Sequence, residues 1–381
     1  MKEIKNFFDG LLEKTTPSSP KWDKEMEKGN IEPKWSYING CMVIAALYMF
    51  DATGDNKYFE FADNFIDYYI DDDGKILGYN IDDYNSDSIN EGKTLFKLYD
   101  LTGKEKYKKA LDLLYSQLEN HPRIKSGNFW HKKIYPNQVW LDGLYMVQPF
   151  LLEYINRYKN GEGYEDVINQ FKNVNKFMKD EKTGLYYHGY DESRESFWAD
   201  KETGLSENFW TRSIGWYTMA LIDVLEILDE DLIEERLLLK GYFRELIDSL
   251  LKYADEKTGM FYQATIYGGR EGNYLETSGS CAISYSIMKG ARLGYLPKEY
   301  FEKGKRILNS VVNNKLVKEN DEYILKDICL IAGLGGMPGM GDYKIRDGKY
   351  EYYISEPIVE NDAKGISTLV YAYSELIREN K

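Results

Sequence analysis

The 381-residue chain has three cysteines, three histidines, and 49 Lys and Arg against 63 Asp and Glu. Cys41, Cys281 and Cys329 are odd in number, far apart and set in apolar contexts. That pattern excludes a disulfide framework and predicts reduced core thiols. Three scattered histidines without a His-Glu-x-x-His pattern argue against a catalytic zinc site. The formal charge of −14 repels nucleic acid and anionic membrane, so any anionic ligand must be met by a few local cations. No run of about 18 apolar residues occurs, and Met1 to Asp9 lacks an apolar leader core. A cytoplasmic protein without nucleic-acid or membrane partners is therefore expected. The stretch Gly333 to Gly341 lacks the Lys-Ser/Thr of a phosphate loop and reads as a lid or surface turn. A Gly-x-Ser-x-Gly nucleophile elbow is also missing.

What is present is apolar, aromatic and helical. With 43% hydrophobic and 15% aromatic residues the chain can bury a large core, and no linker divides it, so residues 1–381 are expected to form one domain. Helical periodicity runs through about twelve segments: Glu3 to Leu12, Ser36 to Asp51, Lys57 to Ile70, Ser88 to Leu101, Glu105 to Leu118, Val139 to Tyr158, Tyr164 to Lys179, Phe209 to Leu228, Leu232 to Tyr253, Thr277 to Leu293, Pro297 to Val312 and Ala363 to Arg378. Thr53-Gly54 and Thr102-Gly103 read as helix stops with tight returns, so the helices come in pairs.

The first helix of each pair carries a glycine near its start: Gly40, Gly92, Gly143, Gly215, Gly279 and Gly365. Glycine costs a helix about 1 kcal/mol relative to alanine, so six repetitions imply close approach of six helices. Spacings of 52, 51, 72, 64 and 86 residues do not fit a solenoid with a period near 34. An all-α fold follows, an (α/α)6 barrel of six hairpins in a closed toroid with the inner helix starts around one mouth.

Residues near those starts form a candidate pocket: Tyr37, Asn39, Asp87, Asn90, Trp140, Asp142, Tyr145, Trp210, Arg212, Trp216 and Thr277. Aromatic rings beside polar groups suit a carbohydrate, whose apolar faces stack while its hydroxyls bond. Asp142 lies in Trp140-Leu141-Asp142-Gly143-Leu144-Tyr145, where lost hydration disfavours its charge and equips it for proton transfer; the plainer alternative is a helix cap. Asp87 supplies a second carboxylate for acid/base work. Arg212, between two tryptophans, is placed to fork onto a substrate carboxylate. His131 and His188 join the list, as do Lys132 and Lys133 beside His131.

Several segments, in order, resemble glycoside hydrolase family 105, the unsaturated rhamnogalacturonyl hydrolases: Gly127 to Met146, Tyr187 to Ser193, Asn208 to Tyr217, Asn273 to Ser280 and Tyr350 to Asp362. The resemblance implies an (α/α)6 barrel that hydrates the C4=C5 double bond of a 4,5-unsaturated uronic acid at the non-reducing end of lyase-generated oligosaccharides. It places the proton donor and water-activating base on Asp142 and the second acidic residue on Asp87. It puts His188, Trp210 and Arg212 around the unsaturated sugar, and it needs no metal or cofactor. Unsaturated galacturonyl-rhamnose is the leading substrate expectation. Glucuronyl fragments of glycosaminoglycan or ulvan are the alternative, and a non-catalytic carbohydrate-binding scaffold is the alternative of another class. A monomer or weak homo-oligomer is expected. Tyr190, where tryptophan is common, and Ser213-Ile214 depart from the family pattern near the pocket and leave the adjoining sugar open.

Overall fold

The computed structural model describes residues 1–24, 26, 32–335 and 345–379. The N-terminal helix α1 (Lys2–Glu13) is followed by α2 (Tyr37–Thr53) and α3 (Asn56–Tyr69). A 3-10 segment, Ser86–Gly92, runs into α4 (Lys93–Thr102), which pairs with α5 (Glu105–Glu119). Then come α6 (Leu141–Tyr158) with α7 (Tyr164–Met178), α8 (Thr211–Ile227) with α9 (Ile233–Leu250), and α10 (Thr277–Arg292) with α11 (Tyr300–Lys315). A short α12 (Tyr350–Ser355) precedes α13 (Ala363–Glu379).

The inner elements close a ring: α2 packs on the 3-10 segment, that segment on α6, α6 on α8, α8 on α10, α10 on α13, and α13 back on α2. The sixth outer helix is α1, which packs against α13, so the two ends of the chain complete the toroid. Burial explains which helix goes inside. Nearly every residue of α10 is buried, whereas α3 buries only the stripe Tyr58, Ala62, Phe65, Ile66 and Tyr69. α10 can be buried all round because its polar residues are mostly small serines bonded to backbone carbonyls, whereas a helix with a single apolar stripe belongs on the rim.

All six glycines sit in tight places, but two crossings bring helix backbone onto backbone. A Cβ on Gly40 would stand 2.6 Å from the Glu91 Cα, and one on Gly279 would stand 3.0 Å from the Arg212 nitrogen. The others face side chains, as Gly365 faces Ile328. Inside α6, Pro149 cannot donate to the carbonyl four residues earlier. Lys93 takes over, its Nζ donating to the Tyr145 carbonyl at 3.0 Å.

Four features differ from the sequence expectation. The helix expected from Ser88 begins as a 3-10 turn, because the Asn85 side chain accepts from the Asp87 nitrogen and Gly92 is pressed against Leu114 and Phe150. Val139 and Phe209 lie outside helices; β1 (Gln138–Trp140) instead pairs antiparallel with β2 (Gly189–Asp191). A hairpin, β3 (Leu316–Glu319) and β4 (Glu322–Leu325), turns at Asn320 and Asp321, both at positive φ, the backbone of a two-residue hairpin turn. A further small ladder joins β5 (Ile328–Cys329) to β6 (Ile358–Val359). Cys41, Cys281 and Cys329 are free and buried. No helix among the described residues is long and apolar enough to cross a membrane. The expected lid, Gly333 to Gly341, falls from Gly336 onward outside the described residues.

Candidate active site

A cavity of about 330 Å³ opens at the end of the barrel where the inner helices begin, lined among others by Tyr37, Asp87, His131, Lys132, Trp140, Asp142, Trp210, Arg212 and Trp216. Five of the six helix starts contribute: Thr277 is buried, and its hydroxyl donates to the Lys326 carbonyl. Converging helix N-termini each present roughly half a positive charge, so this mouth favours an anion although the protein is acidic.

Asp142 is the second residue of α6, and it does not cap that helix. The N-cap is Trp140, with no side-chain cap bond. The Asp142 Oδ2 is buried without a hydrogen-bond partner, and so is the His188 Nε2 that faces it 3.4 Å away. The β1–β2 ladder brings them together by pairing Trp140 with Gly189, and Leu141 donates its backbone N–H to the His188 carbonyl at 3.1 Å. His188 bonds through Nδ1 to the Tyr353 hydroxyl at 2.8 Å and is packed between the rings of Trp140 and Trp210.

Asp87 faces a different environment. Its Oδ2 is 2.6 Å from Lys132 Nζ, and its Oδ1 is 3.8 Å from His131 Nε2. Burial pushes its pKa up, but Lys132 and then His131 outweigh that and hold the carboxyl below its usual range. Asp87 is thus an ionised, paired carboxylate at neutral pH. Burial lowers the His131 pKa to about 4 despite Asp87, so its ring is neutral; it stacks on Trp140 with centroids 4.4 Å apart and accepts or donates at Nδ1 to the Ser86 hydroxyl.

Arg212 is 2% exposed. Its guanidinium lies over the Trp210 ring at 4.5 Å and donates to the Ser278 hydroxyl and to the Cys329 and Leu330 carbonyls. Its Nε has no partner. Burial works against its charge, yet Cys329, Glu276 and Tyr37 keep its pKa above the ordinary value. Nearby Glu276 is spent on the backbone N–H groups of Ser278, Gly279 and Cys329 and on the Ser278 hydroxyl. Among the described residues Arg212 has no carboxylate within ion-pair distance. Trp216, four residues along α8, shares its face and stacks on Tyr145 at 4.9 Å.

Besides Thr277, five candidates lie outside the cavity: Asn39, Asn90, Lys133, Tyr145 and His188; helix packing turns Asn90 to the Tyr37 carbonyl, to which it donates at 3.2 Å, and seats Tyr145 against Trp216 in the barrel interior. Asn39 is buried outside the cavity, accepting from Trp22 Nε1 at 2.9 Å; two residues apart on a helix point to nearly opposite sides, so Tyr37 and Asn39 cannot share the mouth. Lys133 is exposed and donates to the Asp82 carbonyl at 3.1 Å, because the chain turns there, the Tyr135 N–H bonding back to the Lys132 carbonyl, while the bridge of Lys132 to Asn85 holds Lys132 at the cavity. His188 is fully buried behind Asp142 and does not line the cavity. The cavity also takes in residues outside the candidate list: Tyr135, Ile331 to Gly333, Arg346 and Lys364. Tyr135 stacks on Trp140 at 4.9 Å and stands inside the motif Gly127 to Met146, while Lys364 is in the first turn of α13; Gly333 opens the stretch expected as a lid, and Ile331 and Ala332 carry no signal in sequence. Among the described residues no three His, Cys, Asp or Glu side chains gather as a metal-ligand set.

A model of the Glycosyl Hydrolase Family 88 matches residues 12–380. The solved structure of a C. acetobutylicum glycoside hydrolase from family 105 is 39% identical, with a TM-score of 0.89 over 100% of this chain and 99% of its own. A 24.9 kDa protein in the picA locus of Rhizobium radiobacter is 36% identical over 232 residues, 60% of this chain and 96% of that protein. The unsaturated rhamnogalacturonyl hydrolase YesR of Bacillus subtilis is 26% identical over 266 residues, 68% of this chain and 72% of YesR. The chain belongs to the Glycosyl Hydrolase Family 88, in the group of families 88 and 105 that comprises the unsaturated glycuronyl hydrolases.

Proposed function

We propose that the protein hydrates the C4=C5 double bond of a 4,5-unsaturated uronic acid at the non-reducing end of lyase-generated oligosaccharides, with unsaturated galacturonyl-rhamnose from rhamnogalacturonan as its substrate. The observation that carries this is the pairing, in one cavity, of a buried arginine that has no carboxylate partner among the described residues with a carboxylate whose buried Oδ2 has no hydrogen bond among them. Arg212 needs an anion, and a 4,5-unsaturated uronate supplies one bonded directly to C5 of its reacting alkene. The motifs shared with family 105 and the YesR relative support the rhamnogalacturonan assignment.

In this scheme the uronate carboxylate forks onto Arg212 and the ring stacks against the surrounding tryptophans. Asp142, protonated, gives its proton to C4, and positive charge develops at C5 and the ring oxygen. The resulting carboxylate then takes a proton from the water that adds to C5. The C5 hemiketal opens to a ketone, the ring oxygen leaves as the hydroxyl of a hemiacetal at C1, and that centre expels the neighbouring sugar as an alcohol. One water is consumed, and Asp142 is protonated again at the end. Asp87, held ionised by Lys132, accepts hydrogen bonds from sugar hydroxyls or from the attacking water. A single group that donates and then accepts needs partial exclusion of water, which fits the sealed Oδ2.

The conjugated double bond absorbs near 235 nm. Purified protein is expected to bleach that absorbance on rhamnogalacturonan lyase products faster than on glycosaminoglycan or ulvan lyase products. Absence of bleaching on every unsaturated substrate overturns the hydratase assignment, and faster bleaching of glucuronyl substrates overturns the rhamnogalacturonan one.

A further inference from the structure

Two buried orphan atoms facing each other, the Asp142 Oδ2 and the His188 Nε2, call for a hydrogen between them. The only question is which nitrogen of His188 carries the ring proton, and the element behind it answers. Tyr353 stands on α12 with its ring fully buried, and among the described residues its hydroxyl has one hydrogen-bond partner, the His188 Nδ1 at 2.8 Å. A phenol has a single proton to donate. If His188 were protonated on Nδ1, Tyr353 would have to accept there, leaving its own O–H buried without an acceptor. The Nε2 lone pair would then also face the carboxylate oxygen. Both faults vanish if Tyr353 donates to Nδ1 and the ring proton sits on Nε2.

We propose that Tyr353 is a positioning residue that locks His188 in the Nε2–H tautomer, so that His188 donates to the Oδ2 of Asp142 and leaves its other oxygen, the one that gives and regains the proton, to face the substrate. Burial pushes the Tyr353 pKa well above its ordinary value, with the Asp142 charge adding to the effect, so the hydroxyl keeps the proton this role requires. The 3.4 Å separation is long for a hydrogen bond, as such contacts often are before substrate closes the site. The role in turnover rests on the function proposed above; the tautomer itself does not.

The chain has only three histidines, so 15N-histidine labelling resolves each ring by NMR. At neutral pH His188 is expected as the Nε2–H tautomer in the wild type, and Tyr353→Phe is expected to release it into a mixture. A wild-type Nδ1–H tautomer, or an unchanged tautomer in Tyr353→Phe, overturns the proposal without reference to activity. In turnover, Tyr353→Phe is expected to lower kcat by about 10-fold or more with KM unchanged, as loss of such supporting contacts does. In a His188→Ala background the same substitution is expected to make no further difference. An equal fall in both backgrounds, or an effect confined to KM, shows that Tyr353 does not act through His188. If neither protein bleaches any unsaturated substrate while the tautomer shift is seen, the function fails and the positioning pair stands.

Discussion

Replacing Arg212 by methionine tests what a buried cation with no carboxylate partner among the described residues is for. Each charge-assisted hydrogen bond is worth about 1.5–3 kcal/mol, so a forked pair onto a uronate contributes about 3–6 kcal/mol. At about 1.4 kcal/mol per decade this is about 10²- to 10⁴-fold in kcat/KM. Methionine also leaves the Cys329 and Leu330 carbonyls without the donor they have now, so a simple loss of activity would be ambiguous. The decisive assay is a cycle with two substrates, the free uronate and its methyl ester, each measured with wild type and Arg212→Met at 235 nm. Esterification changes the intrinsic reactivity of the alkene, but that change cancels because it is the same in both enzymes. Wild type is expected to prefer the acid by about 10² or more over the variant's preference, and Arg212→Met to treat both substrates within about ten-fold of each other. If the variant retains the wild-type preference for the acid, the substrate carboxylate is held elsewhere and the assignment of Arg212 is wrong.

Other perturbations follow from the same geometry. Asp142→Asn is expected to cut kcat by about 10² to 10⁴ with little change in melting temperature, since the amide keeps the size of the carboxyl and an oxygen that can accept from His188; near-wild-type turnover moves the chemistry to another residue. His121 and His131 are both buried neutral, with burial the main cause and pKa values lowered from 6.5 to about 4. The unfolded chain therefore binds more protons between those values, and stability is expected to fall as pH drops through that window, by about 3 kcal/mol for each histidine at its lower end. Urea titrations at pH 7 and 4.5 that give equal stabilities would contradict this. Gly40→Ala forces a Cβ to 2.6 Å from the Glu91 Cα and is expected to cost about 1–3 kcal/mol, visible as a lowered melting temperature; an unchanged one would mean the crossing is looser than described.

Much of the molecule was legible in the chain itself. Helix number and pairing follow from 3.6-residue periodicity, and the ring from six recurring glycines, because both are local demands that any fold of this sequence must meet. The same local logic selected Asp87, Trp140, Asp142, Trp210, Arg212 and Trp216, each near a helix start. It failed where direction matters. Tyr37 and Asn39, or Lys132 and Lys133, look equivalent on the line of the chain, yet helix rotation in the first pair and a tight turn in the second send one of each away from the cavity. It also could not distinguish a carboxylate held ionised by a lysine, Asp87, from one left without a partner, Asp142, because pairing depends on which segments meet. Only the tertiary structure decided that a three-residue ladder would set His188 behind Asp142, that α12 would place Tyr353 behind His188, and that Glu276 would spend its charge on backbone donors and the Ser278 hydroxyl and leave Arg212 without a carboxylate partner among the described residues. Those contacts join residues far apart in sequence, and their energies exist only once the ring has closed.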